Sequence, residues 1–205
     1  NLYPGNSSFH GIMAAHLVEC GFSNIKDGPG DLYNGILGEG FDSESVVRGL
    51  GEPGKYRIEQ NYFKLHACCL YNHPVLDAVQ ALWEREGFDA GQVSQIQVVT
   101  PSIATSMSDP APKNMLAAKF SIPFAVASAL VLGKTGVGAF QLEQLANPQV
   151  LEMAQKVKLI ADDAMSFRRY DYPAARASIT LDNGRVIEES VIAQRGDAEN
   201  PISQR

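Results

Sequence analysis

Near the start of the chain Phe9, Ile12, Met13, Leu17 and Val18 recur at helical spacing. Ser7 or Ser8 stands where a helix cap belongs and Gly21 where a helix stops, so the pattern predicts an amphipathic helix over 8–20. The periodicity then lapses. Residues 23–41 are rich in glycine and read as a loop, with room for one short helical turn. Asp42 or Ser43 caps a short helix that runs to Leu50. Gly51-Glu52-Pro53-Gly54 is the strongest breaker in the chain, and it sets a boundary between a piece 1–52 and a piece 53–205.

Beyond it, residues 56–64 mix polar and aromatic side chains and suit an extended segment. Asn72-His73-Pro74 opens a helix whose stripe is Leu76, Val79, Leu82 and Trp83, and it closes near Gly87. Residues 93–100 alternate as a strand, and 101–112 form a proline-rich loop. A helical region over 115–132 is interrupted at Pro123, which fits the first turn of a helix capped by Ser121. Two short helices follow, over 139–146 and 148–156, then a short strand over 157–161. Alternating segments at 177–181 and 185–194 flank Asp182-Asn183-Gly184 and make a β-hairpin. Strands and helices do not alternate as βαβ units, so the fold class is α+β: a helical strip, then a small α/β domain with a mixed or antiparallel sheet and a C-terminal hairpin.

Composition narrows the functional classes. At 205 residues, 45% hydrophobic and 20% charged, the chain has the make-up of a globular protein. Lys+Arg is 17 and Asp+Glu is 23, a net charge of -6, which argues against non-specific binding to a phosphate backbone and so against a nucleic-acid partner. The longest apolar run, 122–132, is too short to span a membrane. Three cysteines, with Cys68 and Cys69 adjacent, make no disulfide framework, and reduced thiols in a cytoplasmic setting are the expectation. The chain opens on Asn1 almost directly into a helix and stops at Arg205 soon after Pro201, so both ends read as cuts through a longer protein.

Reactive side chains concentrate in one stretch, Lys64-Leu65-His66-Ala67-Cys68-Cys69-Leu70-Tyr71-Asn72-His73-Pro74. It precedes a helix N-terminus, where backbone N–H groups favour an anion. Lys64 would counter a carboxylate there, and a His or Cys would move a proton. The competing structural reading is buried cysteines, a capping histidine and a solvated lysine. A zinc module on His66, Cys68, Cys69 and His73 is a further alternative, but it lacks the second, well-separated Cys/His pair that structural zinc sites draw on. No Gly-x-Ser-x-Gly elbow is present, and the glycines of 133–138 do not form a phosphate loop.

The same stretch resembles the MmgE/PrpD family. The resemblance is carried by Lys64, Cys69, His73-Pro74 and Asp77-Ala78, followed by Ala118-Lys119-Phe120-Ser121-Ile122-Pro123-Phe124-Ala125-Val126-Ala127. Two flanking segments agree: Asn6-Ser7-Ser8 with His10-Gly11-Ile12-Met13-Ala14-Ala15 and Gly21-Phe22, and Asp182-Asn183-Gly184 with Arg195-Gly196-Asp197 and Asn200-Pro201. The family includes 2-methylcitrate dehydratase, cis-aconitate decarboxylase and iminodisuccinate epimerase. The resemblance implies a large all-helical domain, a smaller α/β lid and an active site in the cleft between them. It also implies proton transfer next to a carboxylate of a small di- or tricarboxylate, without metal or organic cofactor, in a homodimer.

By the same resemblance Lys64, Ser121 and Phe124 are candidate substrate-binding residues, and Lys64, Cys69, His73 and His66 candidate catalytic ones. Cys69 stands where the decarboxylase pattern has a histidine, and Phe124 where it has a tyrosine. These departures argue against cis-aconitate decarboxylation and leave elimination of water or epimerisation. The chain then reads as the lid with a strip of the helical domain, needing the missing helical portion or a second chain as partner, in a homo- or hetero-oligomer. The alternative is a non-catalytic or degenerate subunit that serves assembly only.

Overall fold

A computed structural model of the chain describes residues 3–22, 26–38, 40–54, 56–166 and 174–203. The chain divides into two units, Asn1–Tyr56 and Arg57–Arg205.

In the first unit, α1 spans Tyr3–Glu19 and so starts earlier than the sequence pattern predicts. Its end is a Schellman cap: Gly21, at φ 91, donates to the Val18 carbonyl at 3.0 Å, and Phe22 N–H reaches the Leu17 carbonyl at 3.0 Å. Over its full length the apolar side chains do not gather on one face, and none is buried. The loop expected over 23–41, where it lies within the described residues, is more helical than its glycines suggest. Here α2 (Gly28–Gly30) runs directly into a π-helical stretch, Asp31–Ile36. Local bonds offset the glycine cost: Asp27 Oδ1 accepts from Gly30 N–H at 3.0 Å, and Tyr33 stacks on Phe41 with ring centroids 5.2 Å apart. Finally α3 (Ser43–Val47) is capped by Asp42, which accepts from Ser45 N–H at 3.1 Å. It ends sooner than expected, because the chain turns at Gly49 and Gly51, both at positive φ.

The second unit carries the sheet. Residues 56–64 are not extended; a 3-10 turn, Arg57–Gln60, replaces the expected strand-like segment. The ordered elements that follow are α4 (His73–Glu86), β1 (Val93–Thr100), α5 (Ser102–Thr105), α6 (Met115–Lys119) and α7 (Ile122–Leu132). They continue as α8 (Leu142–Leu145), α9 (Pro148–Gln155), β2 (Val157–Ala161), β3 (Ala175–Leu181) and β4 (Val186–Val191). The expected loop over 101–112 thus holds one helical turn, and the helix expected over 139–146 is a 3-10 turn, Val137–Phe140, followed by α8.

The sheet order is β2-β1-β3-β4. The pair β1/β2 is parallel and the other two pairs are antiparallel, so the sheet is mixed. In β1 the buried residues are Val93, Ile96, Val98 and Thr100, a broken alternation. The break is a bulge between Val93 and Gln95, which keeps both Val93 and Ile96 on the core face. The hairpin turn is closed by Gly184 at φ 82, a conformation glycine adopts without strain.

Two helices build the core on this sheet. The amphipathic α4 buries Leu76, Val79 and Leu82 and packs on β3, β4 and α7. The other, α7, is apolar all round, from Ile122 to Leu130, and is packed between α4 and α9. Ser121 Oγ caps α7 by accepting from Phe124 N–H at 3.0 Å, as its position before Pro123 predicts.

Candidate active site at the start of α4

The segment between the 3-10 turn and α4 is held at both ends by distant parts of the second unit. Cys69 N–H donates to the Lys119 carbonyl at 2.8 Å, and Asn72 Nδ2 to the same carbonyl at 3.0 Å. Ala67 N–H donates to the Thr135 carbonyl at 2.9 Å. Phe63 N–H donates to the Gly196 carbonyl at 2.8 Å. A Cβ on Gly196 would lie 2.7 Å from the Phe63 carbonyl oxygen, and the φ there is +89, so the Arg195-Gly196-Asp197 turn needs its glycine to close on this segment.

Four of the six residues singled out from the sequence come together here. Lys64 is exposed, and its Nζ donates to the Cys68 carbonyl at 3.1 Å. Cys69 is half-buried, and Cys68 is buried. Burial pushes the Cys68 thiol up to about 12, against the opposing pull of Asn72, Lys64 and Lys119. It is a core thiol at neutral pH. Burial also raises the Tyr62 phenol, with Cys69 and then Asp197 adding to the rise.

His66 is 4% exposed and uses both ring nitrogens on the protein. Nδ1 is 2.6 Å from Thr135 Oγ1, and Nε2 is 3.1 Å from Asp77 Oδ1. Asp77 Oδ2 accepts from Arg195 N–H at 2.7 Å. His73 packs edge-on against His66, ring centroids 5.0 Å apart, and is fully buried, with the Cys68 backbone beside its ring. Burial pulls its pKa down to about 4, with His66 and Lys64 adding to the fall; Asp77 and the Cys68 backbone oppose it weakly. The ring is therefore neutral at pH 7.

The other two residues lie apart from this group. Ser121 is 1% exposed, and its hydroxyl caps α7 and donates to the Asp109 carbonyl. Phe124 is fully buried, its ring 6.3 Å from that of Phe140. Within this unit both are packing residues. Among the described residues no three or more His, Cys, Asp or Glu side chains gather as a metal site, and no helix is long and apolar enough to cross a membrane.

Sequence reasoning missed Thr135 and the Arg195 backbone, and it quoted Asp77 and Lys119 without giving them a role. Only the fold brings them in. Thr135 is 69 residues from His66 and lies in no recognisable motif, and Arg195, although quoted in the Arg195-Gly196-Asp197 motif, is 118 residues from Asp77.

The profile of the MmgE/PrpD C-terminal domain matches residues 66–205, well over half of the chain. Cis-aconitate decarboxylase of Mus musculus is 28% identical over 218 aligned residues, which cover 99% of this chain and 43% of that protein. The chain thus spans less than half the length of this curated relative. The sheet, the helices α4–α9 and the site segment from His66 onward all fall within the matched domain, and the chain belongs to the MmgE/PrpD family.

Proposed function

We propose that this chain forms part of a lyase of the MmgE/PrpD type, acting on a small di- or tricarboxylate by proton transfer at a carbon next to a carboxylate. The observation that carries the reading is His73, a fully buried imidazole whose pKa burial pulls down to about 4, set beside the exposed cation of Lys64. A buried titratable group whose pKa is strongly displaced, next to a cation, is a mark of functional sites. Lys64 is the carboxylate anchor at the entrance, with Lys119 adding positive charge beside the cysteine pair. Cys69, His66 and His73 are the groups available to take or give a proton. Among them His73 suits a base that stays neutral in mildly acidic solution, since its pKa lies near 4.

The family includes dehydratase, decarboxylase and epimerase chemistry, and elimination of water or epimerisation is our preferred outcome. The rest of the active site is expected from a helical portion of the same protein or from a second chain. The alternative, a non-catalytic subunit, draws on the apolar side chains of α1, all of them exposed, which suit assembly.

The test uses the complete protein and a panel of small di- and tricarboxylic acids, followed by NMR in deuterated water. Elimination, or deuterium uptake next to a carboxylate, is expected for one of them. Lys64→Ala should lower kcat/KM at least tenfold, chiefly through KM, and His73→Ala should act through kcat. Unchanged turnover in both variants would remove this site from the reaction. An assembled protein that processes no acid in the panel would favour the assembly role.

A further inference from the structure

We propose that Thr135, His66 and Asp77 form a nucleophilic relay, in which the Thr135 hydroxyl accepts acyl groups from short apolar esters bound in the cavity beside it. This does not depend on the lyase reading. The first support is the assignment of protons. An ionised Asp77 can only accept, so its 3.1 Å contact with His66 Nε2 places the ring proton on that nitrogen. In the neutral ring Nδ1 is then a lone pair, and Thr135 Oγ1 at 2.6 Å is the donor to it. Hydroxyl, imidazole and carboxylate stand in the order that activates a hydroxyl for attack.

The second support is rigidity and burial. His66 and Asp77 are 4% and 7% exposed, and Arg195 N–H pins the remaining Asp77 oxygen at 2.7 Å. A buried, fixed carboxylate stabilises the imidazolium that forms when the hydroxyl gives up its proton. The third support is a place for the acyl group. A cavity of about 360 Å³ lies between α4 and the end of α7, with Leu76, Val79, Trp83 and Leu130 as its apolar wall, Gln80, Glu84 and Lys134 as its polar one, and Thr135 also lining it.

The step balances without any further reagent than ester and water. Thr135 Oγ bonds to the acyl carbon, and the ester's alcohol leaves. His66 Nδ1 takes the hydroxyl proton and returns it to the departing oxygen. Water then attacks the acyl-threonine by the same route, releasing a carboxylic acid and restoring the hydroxyl.

The experiment incubates the full chain with p-nitrophenyl acetate. It follows release of nitrophenolate and locates the acetyl group, after acid quench, by peptide mass mapping. Acetyl on Thr135 is expected, lost in Thr135→Ala and kept in Thr135→Ser. Asp77→Asn, which disturbs the tautomer, should slow acetylation of Thr135 by about a hundredfold. Acetyl found in the unsubstituted chain only on cysteines or lysines overturns the proposal, as does Thr135→Ala releasing nitrophenolate at the original rate. If Asp77→Asn fails to fold, the mapping and the Thr135→Ser variant still decide.

Discussion

His73 is the residue whose surroundings most constrain its chemistry. Its folded pKa, near 4, lies below the value of about 6.5 for a free imidazole, so the unfolded chain binds the extra proton first. The stability contributed by keeping the ring neutral is complete above about pH 6.5 and is lost as pH falls toward 4. Urea midpoints measured from pH 7 to pH 4 should drop more steeply for the native chain than for His73→Gln, and parallel slopes would refute this. Gly196 makes a second prediction at this scale. Gly196→Ala must move the Phe63 carbonyl and hold alanine at φ +89, which should cost about 1–3 kcal/mol in chemical denaturation. The residues of the site were partly legible in the sequence. Lys64, His66, Cys69 and His73 stood out because they are neighbours in the chain. Thr135 did not, because a lone threonine after a helix has no pattern until the fold sets it against His66. Ser121 and Phe124 are legible in motif but are spent on capping and packing.

Elements with strong local signals matched expectation, and those governed by context did not. The strand β1 and the hairpin are marked by alternation and by Asp182-Asn183-Gly184, and both form. The helix α7 is marked at its ends, by Ser121 and Pro123 at one and by Gly133 at φ 63 at the other. Replacing Ser121 with Ala removes the cap on Phe124 N–H and should cost about 1 kcal/mol in urea denaturation. Ser121→Thr should recover part of that loss, because its hydroxyl can accept the same bond and still donate to the Asp109 carbonyl. The bulge in β1 was invisible because it is a property of pairing with β3, not of β1 alone. Likewise the glycine-rich stretch before α3 is helical through the Asp27 cap and the Tyr33–Phe41 stack, neither of which periodicity measures.

At the scale of the whole molecule the two units differ in what sustains them. Residues 57–205 hold the sheet and the hydrophobic core, whereas among the described residues of 1–56 only Gly30 is buried. Limited proteolysis of this chain should therefore cut first within 1–56 and leave a resistant product close to 57–205. Early cleavage within β1 or α7 would contradict that. One feature of the second unit bears on how its chemistry arises. Apart from the Asp77–His66 pair, the bonds that fix His66 and Asp77 join residues 69 and 118 positions apart, and the parallel partner of β1 is reached only after α5–α9. No nascent fragment holds this constellation. It comes into being with the cooperative collapse of the unit, so any small acid or ester that occupies it is a ligand of the native state alone. Such a compound at a hundred times its dissociation constant stabilises the fold by about 2.7 kcal/mol, and a rise in melting temperature across a compound library becomes a direct search for the molecule this site was shaped to hold.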